Sequence, residues 1–367
     1  MTTVQQVINL IEELAPRSYA ESWDNVGLMV GDRNSVVTGV LTTLDVTEET
    51  ISYAIEHDYN LIISHHPLIF KGVKQLSCDT AQGRMINNLI QHKIAVYSAH
   101  TNLDIAPGGL NDMLAEQLGL IDVKGFIKTG EEALYKVTTF VPENAADAIR
   151  HAMGAAGAGK IGNYEYCSFS IHGEGRFIGN EDSNPVIGEA GALTVAPEVQ
   201  VNAVVDSTHF SQVVEAMKEA HPYEEVAYEV VSLVEPKGST QYLGRIGRLP
   251  NAFNLDTFRE WLQEALPEAN IRFAGVAPKE IQSIALCSGA GAEFIKNAAR
   301  LHVDAYVTGD VKYHDAQLAK ELGLLVVDAG HFGTESIVAS GLRDYLLSKD
   351  ISVPVKAFTE QNDFFFL

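Results

Sequence analysis

The chain has 367 residues, of which 46% are hydrophobic and 20% are charged, and its formal net charge is −22. This length predicts two or three domains of roughly 100–200 residues each, with an ordinary composition for a soluble globular protein. The sequence contains no block of consecutive Lys or Arg residues. Nucleic acid is therefore an unexpected partner, because non-specific binding to it needs a basic footprint.

The cysteines and the N-terminus bear on the cellular compartment. Cys78, Cys167 and Cys287 are widely spaced and odd in number, which fits neither a disulfide framework nor a zinc knuckle, so a reducing cytoplasm is expected. The N-terminal segment has apolar residues at helical spacing without a basic start, unlike a signal peptide. No apolar run approaches ~20 residues, so no membrane span is expected.

The first ~120 residues alternate between helical and strand-like patterns. Helices are predicted over residues 3–15, Thr47–Glu56 with Thr47 as N-cap, Thr80–His92 and Gly109–Leu118, and strands over Val36–Leu44, Asn60–Ser64 and Ala95–Ser98. This alternation predicts strand–helix units around a buried sheet.

The pattern changes near Ala133, which indicates an inserted domain over about residues 130–236. Strands are predicted over Leu134–Val141, Tyr164–Ile171, Glu198–Val205 and Val226–Leu233, and helices over Glu143–Met153 and Phe210–Ala220. The order β-α-β-β-α-β is ferredoxin-like. Pro236-Lys-Gly-Ser reads as a connector.

Strand–helix alternation then resumes. Helices are predicted over Phe253–Ala265, Ala292–Leu301, Asp315–Leu322 and His331–Leu347, and strands over Ser283–Cys287, Ala305–Thr308 and Leu324–Asp328. The prediction is an α/β protein in which two α/β lobes, residues 1–129 and 237–367, form one domain interrupted by an α+β insert.

Polar side chains that suit a metal follow three of the predicted strands. His65 and His66 end the strand before Pro67, His100 and Asp104 follow the next strand, and His331 and Glu335 follow a third. Carboxyl ends of parallel strands share one edge of a sheet, so these groups are expected to meet. His331 and Glu335 are also four residues apart, on one face of a helix.

Each segment has a purely structural alternative. The two adjacent histidines could be a satisfied core pair, His331 with Glu335 could be a pair on a helix surface, and Asp104 could cap a turn. Their joint occurrence at strand ends favours metal binding. Three imidazoles and two carboxylates suit two ions that share a carboxylate, with Zn favoured and Mn, Fe or Co as alternatives. Two such ions would make the site cationic and attractive to an anionic substrate.

A fourth strand end carries Asp310, Lys312 and His314. Asp310 and His314, together with His100, are candidates for proton transfer, although Asp310 could cap a turn and His314 could begin a helix. Near the N-terminus, Trp23 reads either as a site residue or as a buried aromatic anchor. The amides of Cys287-Ser-Gly-Ala-Gly-Ala could hold an anion, a weak signal.

The assembled segments resemble the GTP cyclohydrolase 1 type 2 homologs, also called the NGG-interacting-factor-like family. The matching runs are Ser22–Leu28, Ser64–Phe70, Ser98–Asp104, Thr308–His314 and Asp328–Glu335. The resemblance implies a dinuclear metal centre with ligands at His65, His66, Asp104, His331 and Glu335, the last of which bridges the ions. It also implies a toroidal homohexamer with metal sites facing an inner cavity.

The long form of this family has a middle domain that resembles the PII and CutA folds, and His221–Tyr228 resembles part of that pattern. One departure from the family is the tail Gln361–Leu367, where Asn-Pro-Phe is more usual.

Two classes of function are expected. One is a dinuclear-metal hydrolase of a nucleotide-like substrate, either a GTP cyclohydrolase that attacks guanine C8 or a phosphoesterase. The other is a non-catalytic, metal-bound ring that acts as a regulator or scaffold.

Overall fold

A computed structural model describes residues 1–359, and within them the chain divides into two units. The outer unit combines Met1–Gly130 with the described chain from Gln241 onward, and the middle unit is Glu131–Thr240. The unusual tail, Gln361–Leu367, lies outside the described residues. Within residues 1–359, the longest helices are too short to span a bilayer.

The first 130 residues contain most of the predicted elements at nearly the predicted positions. The helices are α1 (Val4–Leu14), α2 (Glu48–Glu56), α3 (Ala81–Gln91), α4 (Thr101–Ile105) and α5 (Leu110–Gln117), and the strands are β1 (Gly27–Val30), β2 (Val40–Thr43), β3 (Leu61–Ser64), β4 (Ala95–Ser98) and β5 (Ile121–Glu131). Thr47 caps α2, as predicted, because its hydroxyl accepts from the Thr50 amide. The elements β1, α4 and β5 were not predicted.

The middle unit has the element order β-α-β-β-α-β. Its elements are β6 (Leu134–Pro142), α6 (Ala146–Ala155), β7 (Ser168–Ile178), β8 (Leu193–Asp206), α7 (Phe210–Ala220) and β9 (Tyr228–Leu233). The four strands form an antiparallel sheet in the order β7-β8-β6-β9. Both helices bury their apolar side chains against one face of this sheet.

One predicted strand of the middle unit is misplaced, and another is shorter than the observed strand. The predicted strand Tyr164–Ile171 is wrong in position, because β7 runs from Ser168 to Ile178, and β8 begins five residues before Glu198. The second half of β7 was not recognised from the sequence because it contains Gly173 and Gly175, and glycine is depleted in strands.

The rest of the outer unit resumes the alternation of strands and helices. Its elements are β10 (Thr240–Phe253), α8 (Leu255–Ala265), β11 (Arg272–Gly275), β12 (Ile281–Leu286), α9 (Ile295–Arg300), β13 (Ala305–Thr308), α10 (Tyr313–Glu321), β14 (Leu325–Asp328), α11 (His331–Glu335), α12 (Val338–Ser348) and β15 (Val355–Ala357). The single helix predicted over His331–Leu347 is wrong, because α11 ends at Glu335 and α12 begins at Val338. The elements β10, β11 and β15 were not predicted.

Two sheets organise the outer unit, and this confirms the predicted α/β class. The first sheet has the order β1-β4-β3-β2-β15, and the second has the order β11-β14-β13-β12-β10-β5. In the first, β15, β2, β3 and β4 are parallel, and in the second, β12, β13 and β14 are parallel.

The two halves of the chain exchange elements between the sheets. Strand β5 from the first half joins the second sheet, whereas β15 from the second half joins the first. Helix α12 likewise packs its Val338, Leu342 and Leu346 side chains into the core around α1 and the first sheet. The lobes therefore do not correspond simply to the two halves of the sequence.

A buried ion pair connects α5 to β10. The Arg245 guanidinium donates through Nε and Nη2 to the two carboxylate oxygens of Asp112, at 2.6 and 2.7 Å. It also donates to the carbonyl oxygens of Ala106, Tyr242 and Gly244. The Arg245 side chain is 7% exposed and that of Asp112 is 29% exposed. Removal of either partner would leave polar groups of the other without partners.

We predict that Arg245→Ala lowers the free energy of unfolding by about 2–3 kcal/mol, less than for a fully buried pair because Asp112 is partly exposed. Urea titration followed by circular dichroism measures this change. Arg248→Ala is the matched control, since Arg248 is exposed on the same strand and donates to the Gln282 side chain. Equal stability of the two variants would contradict a supporting role for the Arg245 pair.

Candidate metal centre

Two imidazoles, those of His65 and His66, lie directly after the carboxyl end of β3. The strand ladder continues past Ser64, since the His65 amide donates to the Thr43 carbonyl and the His66 amide donates to the Leu44 carbonyl. The Ser64 hydroxyl then donates to the His66 carbonyl at 2.9 Å, which holds the bend. The two ring centroids are 5.2 Å apart. The histidine pair is therefore placed by a buried strand, as predicted.

The next strand, β4, is followed by helix α4, which carries Asp104. Asn102 anchors this short helix by donating from its side chain to the Ala15 carbonyl at 2.7 Å. Asn111 donates to the Asp104 carbonyl at 3.0 Å. His100, at the start of α4, lies with its ring centroid 5.2 Å from that of His65. Asp104 is 8% exposed.

The second sheet contributes the remaining groups through the end of β14. Gly330 has φ 78, a backbone angle that suits glycine, and it directs the chain into α11. His331 and Glu335 lie on one face of this helix, with His331 Nε2 and Glu335 Oε2 3.0 Å apart. The two residues therefore face the site together, and Glu335 is only 4% exposed.

The Glu335 carboxylate is shared between two groups of side chains. Its Oε2 lies 3.0 Å from both His66 Nε2 and His331 Nε2, whereas Oε1 faces His65 Nε2 at 3.9 Å. Asp104 Oδ1 is 3.6 Å from the same His65 nitrogen. Three sets of donor atoms lie within 4.8 Å of one another: His65 with Asp104 and Glu335, His66 with His331 and Glu335, and His65 with His66 and His100. Glu335 belongs to two of these sets.

Each of the four histidines uses Nδ1 for a hydrogen bond and turns Nε2 toward the cluster. The Nδ1 partners are the Ala99 carbonyl for His65, Asp45 for His66, Asp24 for His100 and Asp310 for His331, all at 2.8–3.0 Å. In metal-bound histidine, the ring nitrogen that does not bind the metal usually donates to a carboxylate or a carbonyl. This hydrogen bond fixes the tautomer and the orientation of the ring.

The nitrogen at the centre of the cluster, His65 Nε2, has no hydrogen-bond partner within residues 1–359. His65 is fully buried, its Nδ1 must donate to the Ala99 carbonyl, and its Nε2 has no hydrogen bond among the described residues. Such an atom is costly in a protein interior unless it is a ligand. His66 Nε2 and His331 Nε2 are 3.3 Å apart, close to the separation of about 3.4 Å expected for two ligands of one tetrahedral zinc ion. The residues present therefore fit divalent metal ions.

The protein charges around the cluster shift several pKa values. Burial opposes protonation of His66, but hydrogen bonds to Asp45 and Glu335 raise its pKa to about 10. The hydrogen bond to Glu335 raises the pKa of His331 to about 9. For Glu335 burial acts in the opposite direction, but hydrogen bonds to the imidazoles hold its pKa well below the ordinary value. Burial raises the pKa of Asp104.

A glycine loop from the second sheet closes against these groups. A Cβ at Gly289 would lie 2.2 Å from Glu335 Oε1, and its φ of +60 also suits glycine. The loop amides are used within the protein, since Ser288 donates to Asn111, Gly289 to Thr334 and Gly291 to Thr308. The amides of Ser288, Gly289 and Gly291 are therefore satisfied by side chains of the protein, and an anion-binding role of the loop stays a prediction.

The three residues predicted to transfer protons lie in different positions. His100 lies in the cluster, where its Nε2 could also hold a metal. Asp310 lies behind His331 and orients it. Asp310 has φ 56, which aspartate tolerates better than most residues. His314 is exposed, hydrogen-bonds Gln317 on α10, and belongs to none of the donor sets found within residues 1–359.

Two carboxylates behind the histidines had no predicted role. Asp45 lies two residues after β2, as His66 lies two residues after β3, so the rule used for the other strand ends would have found it. Asp24 is buried and accepts hydrogen bonds from His100 and Thr101, which outweigh the effect of burial and lower its pKa to about 2. Asp24 lies within the run Ser22–Leu28 that carries the family resemblance, and this was the sequence signal for the segment.

Two exposed aromatic rings lie beside His100. The Trp23 ring centroid is 6.3 Å from that of His100 and 6.0 Å from that of Phe70, and Phe70 is 6.4 Å from His100. Trp23 is 60% exposed and Phe70 is 44% exposed. The alternative of Trp23 as a buried anchor is therefore wrong, and both rings are available to a planar ligand.

We predict that Glu335→Gln removes most of the divalent metal from the purified protein, because the neutral amide cannot replace a carboxylate shared by two sets of donors. His65→Ala should act in the same direction. Elemental analysis after dialysis measures the metal content. Glu321→Gln and His314→Ala are the controls, as both change exposed residues of α10. Full metal content in the double variant of His65 and Glu335 to alanine would refute the assignment.

We predict that metal loading of the chelator-treated protein at pH 7.5 releases protons. His66 and His331 have raised pKa values without metal, and an imidazole must be neutral to bind an ion. The apparent metal affinity should therefore increase as the pH rises from 6 to 9. A pH indicator in weak buffer measures the release. His314→Ala should release as many protons as the parent protein, and proton-neutral binding would contradict the prediction.

Comparison with known proteins places the chain among proteins of similar length. It matches the family Duf34/NIF3 (NGG1p interacting factor 3) over residues 2–363. It is 42% identical over 342 residues to the "GTP cyclohydrolase 1 type 2 homolog" of Halalkalibacterium halodurans, covering 93% of this chain and 91% of that protein. It is 40% identical over 361 residues to the protein of the same name from Bacillus subtilis, covering 98% and 96%.

A solved structure shows the same fold. The crystal structure of a Bacillus cereus protein related to NIF3 superposes with a TM-score of 0.84 at 38% identity, covering 100% of this chain and 99% of that one. The match spans both units, and the predicted resemblance is confirmed. The chain belongs to the Duf34/NIF3 family.

Proposed function

We propose that this protein is a hydrolase that uses two divalent cations to act on a nucleotide-like anionic substrate. Zn is the favoured metal, and Mn, Fe or Co are alternatives. The observation that carries the proposal is the shared Glu335 carboxylate, which faces His65 through one oxygen and His66 with His331 through the other. A carboxylate shared in this way suits a pair of ions.

The residues that would hold the cations divide between the two oxygens of Glu335. His65 and Asp104 would act with Oε1, and His66 and His331 would act with Oε2. When bound, divalent cations supply Lewis acidity, which activates water at neutral pH and stabilises negative charge that develops on the substrate. Asp104 and Glu335 face these groups directly, and Asp24, Asp45 and Asp310 lie behind the imidazoles. An anionic group would therefore be attracted by direct contact with the ions rather than by a net positive site.

His100 is the group best placed to move a proton. Asp24 holds its Nδ1 at 2.9 Å, and the low pKa of Asp24 keeps that carboxylate ionised. Nε2 of His100 is therefore the atom free to accept or donate a proton at the site. The imidazole is 18% exposed, so a substrate could reach it.

The aromatic rings beside the site favour a substrate with a planar base. Stacking of a nucleobase on an aromatic side chain contributes about 1–3 kcal/mol, and Trp23 and Phe70 are both exposed next to His100. The names of the relatives suggest GTP. Hydrolysis would then open the imidazole ring of guanine and release C8 as formate.

Two alternatives remain to be distinguished from this reaction. The same site suits in-line attack on phosphorus, which would make the protein a phosphoesterase. Alternatively, a toroidal homohexamer could use the metals for assembly, with the middle unit as a PII- or CutA-like sensor. Light scattering measures the size of the assembly, and turnover separates the three functions.

The decisive experiment supplies metal-loaded protein with GTP and measures formate and phosphate separately. Formate supports cyclohydrolysis, and phosphate without formate supports the phosphoesterase. If a broad panel of nucleotides gives neither product, the hydrolase proposal fails and the regulatory ring is favoured. Glu335→Gln should abolish whichever activity appears, and Glu321→Gln should preserve it.

We predict that His100→Asn lowers kcat about 10²–10⁴-fold while the bound metal stays, because the amide cannot transfer a proton. Metal content and kcat are measured on the same sample. Loss of metal together with activity would identify His100 as a ligand instead. His314→Ala should change neither quantity, since His314 is outside the cluster.

A further inference from the structure

The middle unit contains a cavity of about 680 Å³, within the size range of small-molecule sites. Its floor is the sheet face opposite to α6 and α7. Val199 and Val201 of β8 pack into the helix-covered core, and alternation along the strand places Glu198 and Gln200 on the other face. Among the side chains that line the cavity are Phe140, Ile171, Phe177, Glu198, Gln200 and Tyr223.

The carboxylate of Glu198 belongs to this floor. The Tyr223 hydroxyl donates to Glu198 Oε1 at 2.8 Å, which fixes the carboxylate. The other oxygen lies where strand β7 has no side chain, since a Cβ at Gly175 would be 2.2 Å from Oε2. Gly173 pairs with Glu198 across the sheet, and a Cβ there would enter open space. Both glycines keep the space around Glu198 clear.

The remaining charges leave the cavity acidic. Four glutamates line it, against one arginine. Arg176 donates through Nε and Nη2 to Glu174 at 2.8 and 2.6 Å, so its charge is compensated locally. Glu224 accepts from the Asn184 amide at 2.8 Å, which connects two of the segments around the cavity. Much of the lining besides these carboxylates is aromatic or aliphatic.

We propose that this cavity binds a small organic cation, in which an ammonium or guanidinium group pairs with Glu198 and an apolar body contacts Phe140 and Phe177. The charged group would gain a charge-assisted hydrogen bond in a partly desolvated site. The aromatic faces would add cation–π attraction. All lining residues belong to the middle unit, so the inference does not depend on the proposed hydrolase activity.

The test uses the metal-loaded full-length chain and three probes that share a phenyl group and carry a positive, a neutral or a negative polar group. These are 2-phenylethylammonium, neutral 2-phenylethanol and anionic phenylacetate, each titrated while ligand-observed NMR follows binding. The amine should bind saturably, the alcohol at least tenfold more weakly, and phenylacetate should not bind. Equal binding of the three probes, or no saturable binding of the amine, would overturn the proposal.

Two substitutions locate the site. Glu198→Gln keeps an acceptor for Tyr223 but removes the charge, and it should weaken amine binding about 10- to 100-fold. Gly173→Leu should abolish binding because its side chain fills the open space, and thermal unfolding checks that this variant is folded. Glu215→Gln, on the exposed side of α7, is the matched control and should bind like the parent protein. Unchanged amine affinity in Glu198→Gln would refute the site.

Discussion

The buried carboxylate of Glu335 is the group on which the arrangement of the outer unit depends. A carboxylate that is 4% exposed is tolerated only when other groups compensate its charge. The compensating imidazoles come from both sheets, His65 and His66 from the end of β3 and His331 from the helix after β14. The edges of two sheets must therefore face each other at this carboxylate. The close approach of Gly289 to the same oxygen fits this constraint.

The cluster has a closed side and an open side. His65 is fully buried and is fixed by a backbone carbonyl, whereas the side chains of His66 and His331 are 25% and 38% exposed and are fixed by carboxylates that are themselves about half exposed. A ligand that approaches from solvent would meet His66 and His331 first. The buried side therefore holds the geometry of the cluster.

Much of this site could be predicted from the sequence because strand ends are strong local signals. A buried strand followed by His65 and His66 needs no tertiary information to be recognised, and parallel strands bring such ends to one edge. The hydrogen bonds behind the rings could not be predicted in the same way. Asp24 meets His100 across 76 residues, and Asp310 meets His331 because of a left-handed backbone turn at a non-glycine residue. The fold was predicted least well where pairing is non-local, as in β5 and β15, and where glycines weaken the strand pattern, as in β7.

The position of the insert has a consequence for how such proteins can change over evolution. The chain leaves the outer unit along β5 and returns along β10, and these strands are neighbours in one sheet. At the junction, a Cβ on Gly130 would lie only 2.8 Å from the Gln241 side chain. A tight turn could therefore join the two strands directly, without loss of a core element or of any residue of the metal cluster. Gain or loss of more than a hundred residues at this hairpin would leave the candidate metal centre of the outer unit under separate selection from the cavity of the middle unit.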